Sequence, residues 1–251
     1  MNTAMILCAG FGTRMKQFTK DIPKPMLPIY GKPLLEYTIR LLASQGVTKL
    51  VINLHYLADA ITSYFQDGKH WGVEIMYSYE DEPLGTAGAV KKVADILTKE
   101  DSFLVLYGDV FCTQDYRKLY DYHRSRRNAA ATIIMHEREK SNSIVEVDEE
   151  GRVVTFIERP AVEPVLRKQK WVNSGLYCFN RKILDSIVGN VFSDLPKDLF
   201  PGLTANSELF GYPLQGYRCS VDSPERYRQL QADFNNQNLI KLFSREHDNK
   251  L

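Results

Sequence analysis

Four short apolar runs separated by segments of helical periodicity constrain this chain more than any other feature. Residues 4–9 and 103–106 read as buried strands, because a short continuous apolar run belongs in a sheet covered on both faces, and 50–53 and 73–77 read as two further strands between them. Between them, Leu34, Leu35, Tyr37, Ile39, Leu41 and Leu42 follow Pro33 in a helical pattern closed by Gly46, and helical patterns recur over 57–65 and 86–96. Strand–helix–strand units in series imply right-handed crossovers and a parallel sheet, with a ligand site at the carboxyl ends of the strands. From about residue 128 the pattern changes. Strands are predicted over 129–135, 143–147, 153–157 and 171–179, joined by turns such as Glu149-Glu150-Gly151 and the 160–169 loop. This half is expected to add antiparallel strands and a lid over the open edge of the site. A last helix over 224–243 takes Ser223 as N-cap and Pro224 as its first residue, and 244–251 read as a frayed tail. All 251 residues are expected to form one α/β domain, with one half over 1–128 and a second over 129–243.

The charge balance excludes several functions. With 32 basic and 31 acidic residues the net charge is +1, so no basic excess supports binding to nucleic acid or to a membrane surface. No signal segment opens the chain, and no run approaches the ~18 apolar residues of a membrane span. A cytoplasmic protein is expected. Cys8, Cys112, Cys178 and Cys219 are scattered without C-x-x-C spacing and read as reduced and structural. His55, His70, His123, His136 and His247 show no metal-ligand spacing.

Three loops carry candidate chemistry. The first strand runs into Gly10-Phe11-Gly12, where backbone amides can approach an anion, and Arg14, Lys20 and Lys24 follow. The spacing matches neither G-x-x-x-x-G-K-[ST] nor G-x-G-x-x-G. Alone, this stretch is equally a Gly-containing turn with solvated bases. Glu82-Pro-Leu-Gly-Thr-Ala-Gly88 is a second backbone-rich loop before a helix, suited to hydrogen bonding along the edge of a flat base. Gly108-Asp109 ends the fourth strand and puts a carboxylate where Mg²⁺ could bridge to phosphates, while Asp222 stands between a strand and a helix.

In this order, and together with Pro23-Lys24-Pro25, Phe156-Ile-Glu-Arg-Pro160 and Val172-Asn-Ser-Gly175, these motifs resemble the sugar-1-phosphate nucleotidyltransferases, or nucleotide-sugar pyrophosphorylases, from Met5 to about Tyr227. The resemblance implies the nucleotide-diphospho-sugar transferase fold: a Rossmann-like, three-layer, mixed but mostly parallel sheet flanked by helices, with a small antiparallel extension on the sugar side. It implies an Mg²⁺-dependent enzyme that joins a nucleoside triphosphate to a sugar 1-phosphate and releases pyrophosphate. Leu7, Ala9, Gly10, Gly12, Thr13 and Arg14 would hold the nucleotide, with Glu82, Gly85, Thr86 and Gly88 around the base. Arg14 and Lys24 would be catalytic, Arg14 stabilising the leaving pyrophosphate and Lys24 gripping the acceptor phosphate. Gly108, Glu158, Arg159, Asn173 and Gly175 would bind the acceptor, and Asp109 and Asp222 the metal. A homodimer is the family-level expectation. Many guanylyltransferases continue into a C-terminal left-handed β-helix, which is not expected within these residues.

The chain departs from the family at three places. Arg159 replaces the usual Lys of Phe-x-Glu-Lys-Pro, exchanging a point charge for a planar fork. Asn142-Ser143 stands where many members have Tyr-Gly. Aligned on Pro224, the usual Asp-x-Gly-Thr-Pro places Ser220 at the Asp and Asp222 at the Gly. Asp222 and Tyr107-Gly-Asp109 resemble the glucose-1-phosphate cytidylyltransferases, whereas the 82–88 loop resembles the mannose- and heptose-1-phosphate guanylyltransferases. The donor expected is GTP, with CTP, then dTTP or UTP, as alternatives. The acceptor is a mannose- or heptose-1-phosphate, or else a phosphorylated polyol, amine or acid. A non-catalytic, nucleotide-sugar-binding regulatory subunit is the alternative of another class, and the presence of Arg14, Lys24, Asp109 and Asp222 together favours the enzyme.

Overall fold

The computed structural model describes residues 1–15, 18–138, 143–159, 170–236 and 239. Asn142, Pro160 with the 160–169 loop, the end of the last predicted helix apart from Leu239, and the 244–251 tail lie outside the described residues.

In chain order the elements are β1 (Thr3–Leu7), a small hairpin of β2 (Pro28–Ile29) and β3 (Lys32–Pro33), α1 (Leu34–Ser44), β4 (Lys49–Leu54), α2 (Ala58–Phe65), β5 (Glu74–Tyr79), α3 (Gly85–Lys92), α4 (Ala94–Leu97), β6 (Ser102–Tyr107) and β7 (Val110–Cys112). There follow α5 (Tyr116–Ser125), β8 (Ala131–Glu137), β9 (Ser143–Val147), β10 (Val153–Glu158), β11 (Trp171–Asn180), α6 (Phe200–Ala205), β12 (Leu209–Pro213), β13 (Arg218–Ser220) and α7 (Pro224–Asn236).

Nine strands form the main sheet, in the order β10-β9-β11-β6-β1-β4-β5, with β8 paired to β11 and β12 to β8. The central strands β6, β1, β4 and β5 are parallel, β11 runs antiparallel to both β6 and β8, and β12 returns parallel to β8. Side chains alternate across the sheet as strand geometry demands. Met5, Val51, Val105 and Tyr177 face the layer of α3, α4 and α6, through Ala87, Val90, Leu97 and Phe200. Ile6, Ile52, Leu106 and Cys178 face α1, α2 and α5, through Ile39, Leu42, Phe65 and Leu119. Three layers result, with all of these side chains buried. α7 packs separately, its Tyr227, Leu230 and Phe234 closing on Leu27, Ile29 and Phe111.

Local chemistry explains the boundaries. α1 starts after Pro33 and stops in a Schellman closure: Val47 N donates to Leu42 O (3.0 Å) and Gly46 N to Ala43 O (3.0 Å), with Gly46 at φ +93°. α7 opens with Ser223 Oγ accepting from Arg226 N at 3.3 Å. The predicted helix over 86–96 is two helices, because Val93 leaves helical geometry at φ −106°, ψ 21°. α5 has no counterpart in the predicted pattern; it is capped by Asp115, which accepts from Arg117 N at 3.0 Å, and it buries only Tyr116, Leu119 and His123.

Candidate active site

Parallel pairing brings Leu7, Asn53 and Tyr107 level, since Leu7 is registered with both of the others. Beyond them lie the loops read as functional. A cavity of about 230 Å³ opens there, lined by Leu7, Ala9 and Gly10 from the first loop, Gly85 and Thr86 from the third crossover, and Cys8, Asn53, Glu80 and Pro83. A second cavity of about 340 Å³ is lined by Gly12, Thr13, Arg14, Glu158, Asn173, Gly175 and Asp222, with Val110, His136, Arg138, Ser143, Pro196, Arg218 and Ser220. Lys24, Tyr107 and Asp109 line both. The two cavities therefore adjoin, and at their common wall Lys24 Nζ is 2.8 Å from Asp109 Oδ2.

A buried polar network sets the first cavity's shape. Asn53 Oδ1 accepts from Cys8 N (2.8 Å), Asn53 Nδ2 donates to Glu80 Oε1 (2.8 Å), and Glu80 Oε2 accepts from Leu84 N (2.9 Å). The carboxyl ends of β1, β4 and β5 and the start of the 84–88 loop are thus tied by side chains only 3% and 5% exposed. Above the network, Phe11 meets His55 edge-on at 4.9 Å. Thr86 is held from the other side: its Oγ1 donates to Asp194 Oδ1 (3.2 Å) and accepts from Leu195 N (2.8 Å). A β-carbon on Gly85, at φ +73°, would stand 2.3 Å from Ser193 O, so this glycine admits the 193–195 segment.

The second cavity is built around a break in β11. Pairing with β8 shifts between Asn173 and Tyr177, and Gly175 turns to φ +75° against the Tyr107 ring, 2.9 Å from where its β-carbon would be. Asn173 holds the bulge, with Oδ1 accepting from Gly175 N (3.1 Å) and Nδ2 donating to Tyr177 Oη (2.9 Å). Burial pushes the Glu158 carboxyl up to about 7, against the opposing pull of Arg159 and Lys197. Burial likewise keeps His136 neutral, its ring pushed down to about 3 with Arg218 and Arg138 adding to the effect.

Four predicted residues line neither cavity: Glu82, Gly88, Gly108 and Arg159. Gly88 packs on the backbone of Val191, and a β-carbon on Gly108 would lie 2.5 Å from Cys8 Sγ, so both relieve crowding behind the site. Arg159 ends β10 at φ +52°. Conversely, sequence patterns did not point to Asn53, Glu80, His136, Arg138 or Arg218 as site residues. Each sits in a strand or at a strand end, with no local motif to mark it.

Among the described residues no group of three or more His, Cys, Asp or Glu side chains forms a metal cluster. Asp109 and Asp222 nevertheless line one cavity beside the Ser220 hydroxyl, with no soft donor among its lining residues. This donor set fits Mg²⁺, which takes one or two carboxylates and completes its shell with phosphate oxygens and water.

Two adjoining cavities thus lie at the carboxyl ends of a parallel sheet, one rimmed by a glycine loop and the other by cations and carboxylates. The family model described as Nucleotidyl transferase matches residues 3–214, and the chain belongs to that family. It is 39% identical over 214 residues to a UTP–glucose-1-phosphate uridylyltransferase from Synechocystis sp., covering 80% of this chain and 54% of the relative. To a mannose-1-phosphate guanylyltransferase from Mycobacterium tuberculosis it is 32% identical over 233 residues, covering 92% and 64%. The chain thus spans about half to two thirds of these curated relatives' length. Among solved structures, HddC from Yersinia pseudotuberculosis matches with a TM-score of 0.78 at 28% identity, over 93% of this chain and 100% of HddC. HddC complexed with GMP-PN matches with a TM-score of 0.76. No helix among the described residues is long and apolar enough to cross a membrane.

Proposed function

We propose that the chain joins a nucleoside triphosphate to a sugar 1-phosphate, or a similar phosphorylated acceptor, and releases pyrophosphate. The observation that carries this reading is the pair of cavities meeting at Lys24, Tyr107 and Asp109. The first has the glycine loop and the 85–86 turn for a nucleotide, and the second has the polar wall for a sugar phosphate. An acceptor phosphate oxygen attacks the α-phosphorus in line; the new P–O bond forms as the α–β bridge breaks, and the electron pair leaves with pyrophosphate. Such a reaction asks the protein for alignment and charge neutralisation, not covalent chemistry. Arg14 faces the developing charge on pyrophosphate. Lys24 borders both cavities and already holds an oxyanion, and the acceptor phosphate is the same kind of partner. Glu158 and Asn173 are assigned to the acceptor's hydroxyls. Mg²⁺ held by Asp109 and Asp222 would neutralise charge at the α-phosphate.

GTP is the proposed donor and mannose- or heptose-1-phosphate the proposed acceptor, supported by the guanylyltransferase relatives and by the HddC structure with GMP-PN. The uridylyltransferase relative supports UTP and glucose 1-phosphate as the competing pair. Four free, buried cysteines go with a cytoplasmic setting. The test is pyrophosphate release from purified protein and Mg²⁺ across four nucleoside triphosphates and a panel of sugar 1-phosphates. Release with GTP above all others is expected; release with no pair would overturn the activity.

A further inference from the structure

The second cavity is lined by two guanidinium groups beyond the cations assigned above to the donor and acceptor phosphates. Its charged lining side chains are Arg14, Lys24, Arg138 and Arg218 against Asp109, Glu158 and Asp222. Lys24 is assigned to the acceptor phosphate, Asp109 and Asp222 to the metal, and Glu158 to the acceptor's hydroxyls. Arg14 is already assigned to the donor's phosphates. Arg138 and Arg218 remain.

Arg218 is held in place. From β13 its Nε and Nη2 donate to Ser174 O at 3.2 and 2.8 Å, and the same Ser174 presents its Oγ 2.9 Å from His136 Nδ1 on β8. A carbonyl fixes the guanidinium without neutralising it. Among the described residues neither Arg138 nor Arg218 has a carboxylate within ion-pair distance. The Arg218 guanidinium is drawn partly out of water without a carboxylate at hand, which is costly, and a bound oxyanion offsets that cost while a sugar hydroxyl does so poorly; Arg138 lines the same cavity as an exposed residue. The planar fork of Arg favours a bidentate oxyanion over a point contact.

We propose that the acceptor carries a second oxyanion, a carboxylate or a second phosphate, besides the phosphate that is joined to the nucleotide, and that Arg218 and Arg138 receive it. The proposal rests on the nucleotidyl-transfer reading and narrows its acceptor to doubly anionic compounds. Acceptors compared in the test are a hexose 1-phosphate, the matching uronic acid 1-phosphate and the hexose 1,6-bisphosphate. With the best donor, the wild-type protein is expected to favour one of the two doubly anionic acceptors at least about tenfold in kcat/KM, the scale of one charge-assisted pair. Which of them wins separates carboxylate from phosphate. R218M is expected to cut that ratio about tenfold, chiefly through KM, and R218K to restore part of it. Equal loss with all three acceptors in R218M would place Arg218 on the shared phosphate and overturn the proposal, as would a wild-type ratio of one or less. Calorimetric binding of the three acceptors to wild type and R218M reads the same ratios without turnover. A protein that releases no pyrophosphate yet binds the doubly anionic compounds preferentially would sink the activity and leave this assignment standing; equal binding of all three would sink the assignment. Thermal melts of R218M and R218K separate misfolding from lost recognition.

Discussion

Lys24 Nζ and Asp109 Oδ2, 85 residues apart in the chain, form a 2.8 Å ion pair in the wall that separates the two cavities. Their side chains are only 19% and 23% exposed, so water weakens the contact less than it would at an open surface. Each group has another partner in the proposed reaction, Lys24 the acceptor phosphate and Asp109 the metal. Lys24→Met should lower kcat/KM by about 10²–10³-fold, the scale of removing one preorganised charge donor. Asp109→Asn should abolish turnover with the near-ultraviolet spectrum retained. Wild-type kcat/KM in Lys24→Met, or near-normal turnover of Asp109→Asn at saturating Mg²⁺, would sink these roles.

The second carboxylate is testable by register. Ser220 and Asp222 both line the second cavity, on either side of buried Val221. Asp222→Asn should raise the Mg²⁺ concentration needed for half-maximal rate at least about tenfold, and Ser220→Ala should change it less. The reverse ranking would move the metal assignment to Ser220.

Glu158 sets a pH dependence. Its carboxyl titrates near 4.5 when unfolded and is pushed up to about 7 in the folded protein by burial. Between those values the native state binds more protons than the unfolded one, so stability falls as pH rises from about 4.5 to 7 and levels off above. Glu158→Gln lacks this loss. Melting curves from pH 4 to 9 should show the variant gaining on wild type across that window only, and the pH profile of acceptor KM should lose an inflection near 7.

Asn53 bridges Cys8 N and Glu80, and its truncation strands a buried amide beside a buried carboxylate. Asn53→Ala should cost about 3 kcal/mol in urea unfolding, the range for unsatisfied groups near a charge. A cost under about 1 kcal/mol would mean that water substitutes freely there.

Gly85→Ala combines a left-handed backbone with a clash on Ser193 O. The 193–195 segment must shift, loosening its hold on Thr86. A loss of about 1–3 kcal/mol is expected, together with a higher KM for the nucleotide. An unchanged KM would separate this glycine from nucleotide binding.

The strand–helix–strand series up to β6 was legible because its signals are local. Leu50–Asn53 and Leu34–Leu42 each announce their period within one element, and the order of the glycine loop, Lys24, the 85–86 turn and Asp109 follows the chain. The second half depends on partners distant in sequence. β12 is a short run whose meaning comes from lying parallel to β8, and β7 and β13 stabilise each other across more than a hundred residues. α5 carries no apolar run to mark it, because its buried face is made of Tyr116, Leu119 and His123 in an otherwise polar segment. In the site, Arg218 and His136 meet only through the β11 bulge at Ser174, a junction of three strands that no local pattern encodes.

The place of β11 in the sheet also bears on how the chain is made. Residues 171–180 fill the gap between β6 and the β8–β9 side, so during synthesis the long apolar edge of β6 stays open until they emerge. An unpaired buried-type edge is a template for wrong pairing. The nascent chain is expected to depend on chaperone cover through that interval, and ribosome-bound fragments ending before residue 171 should aggregate where fragments extending past 180 do not.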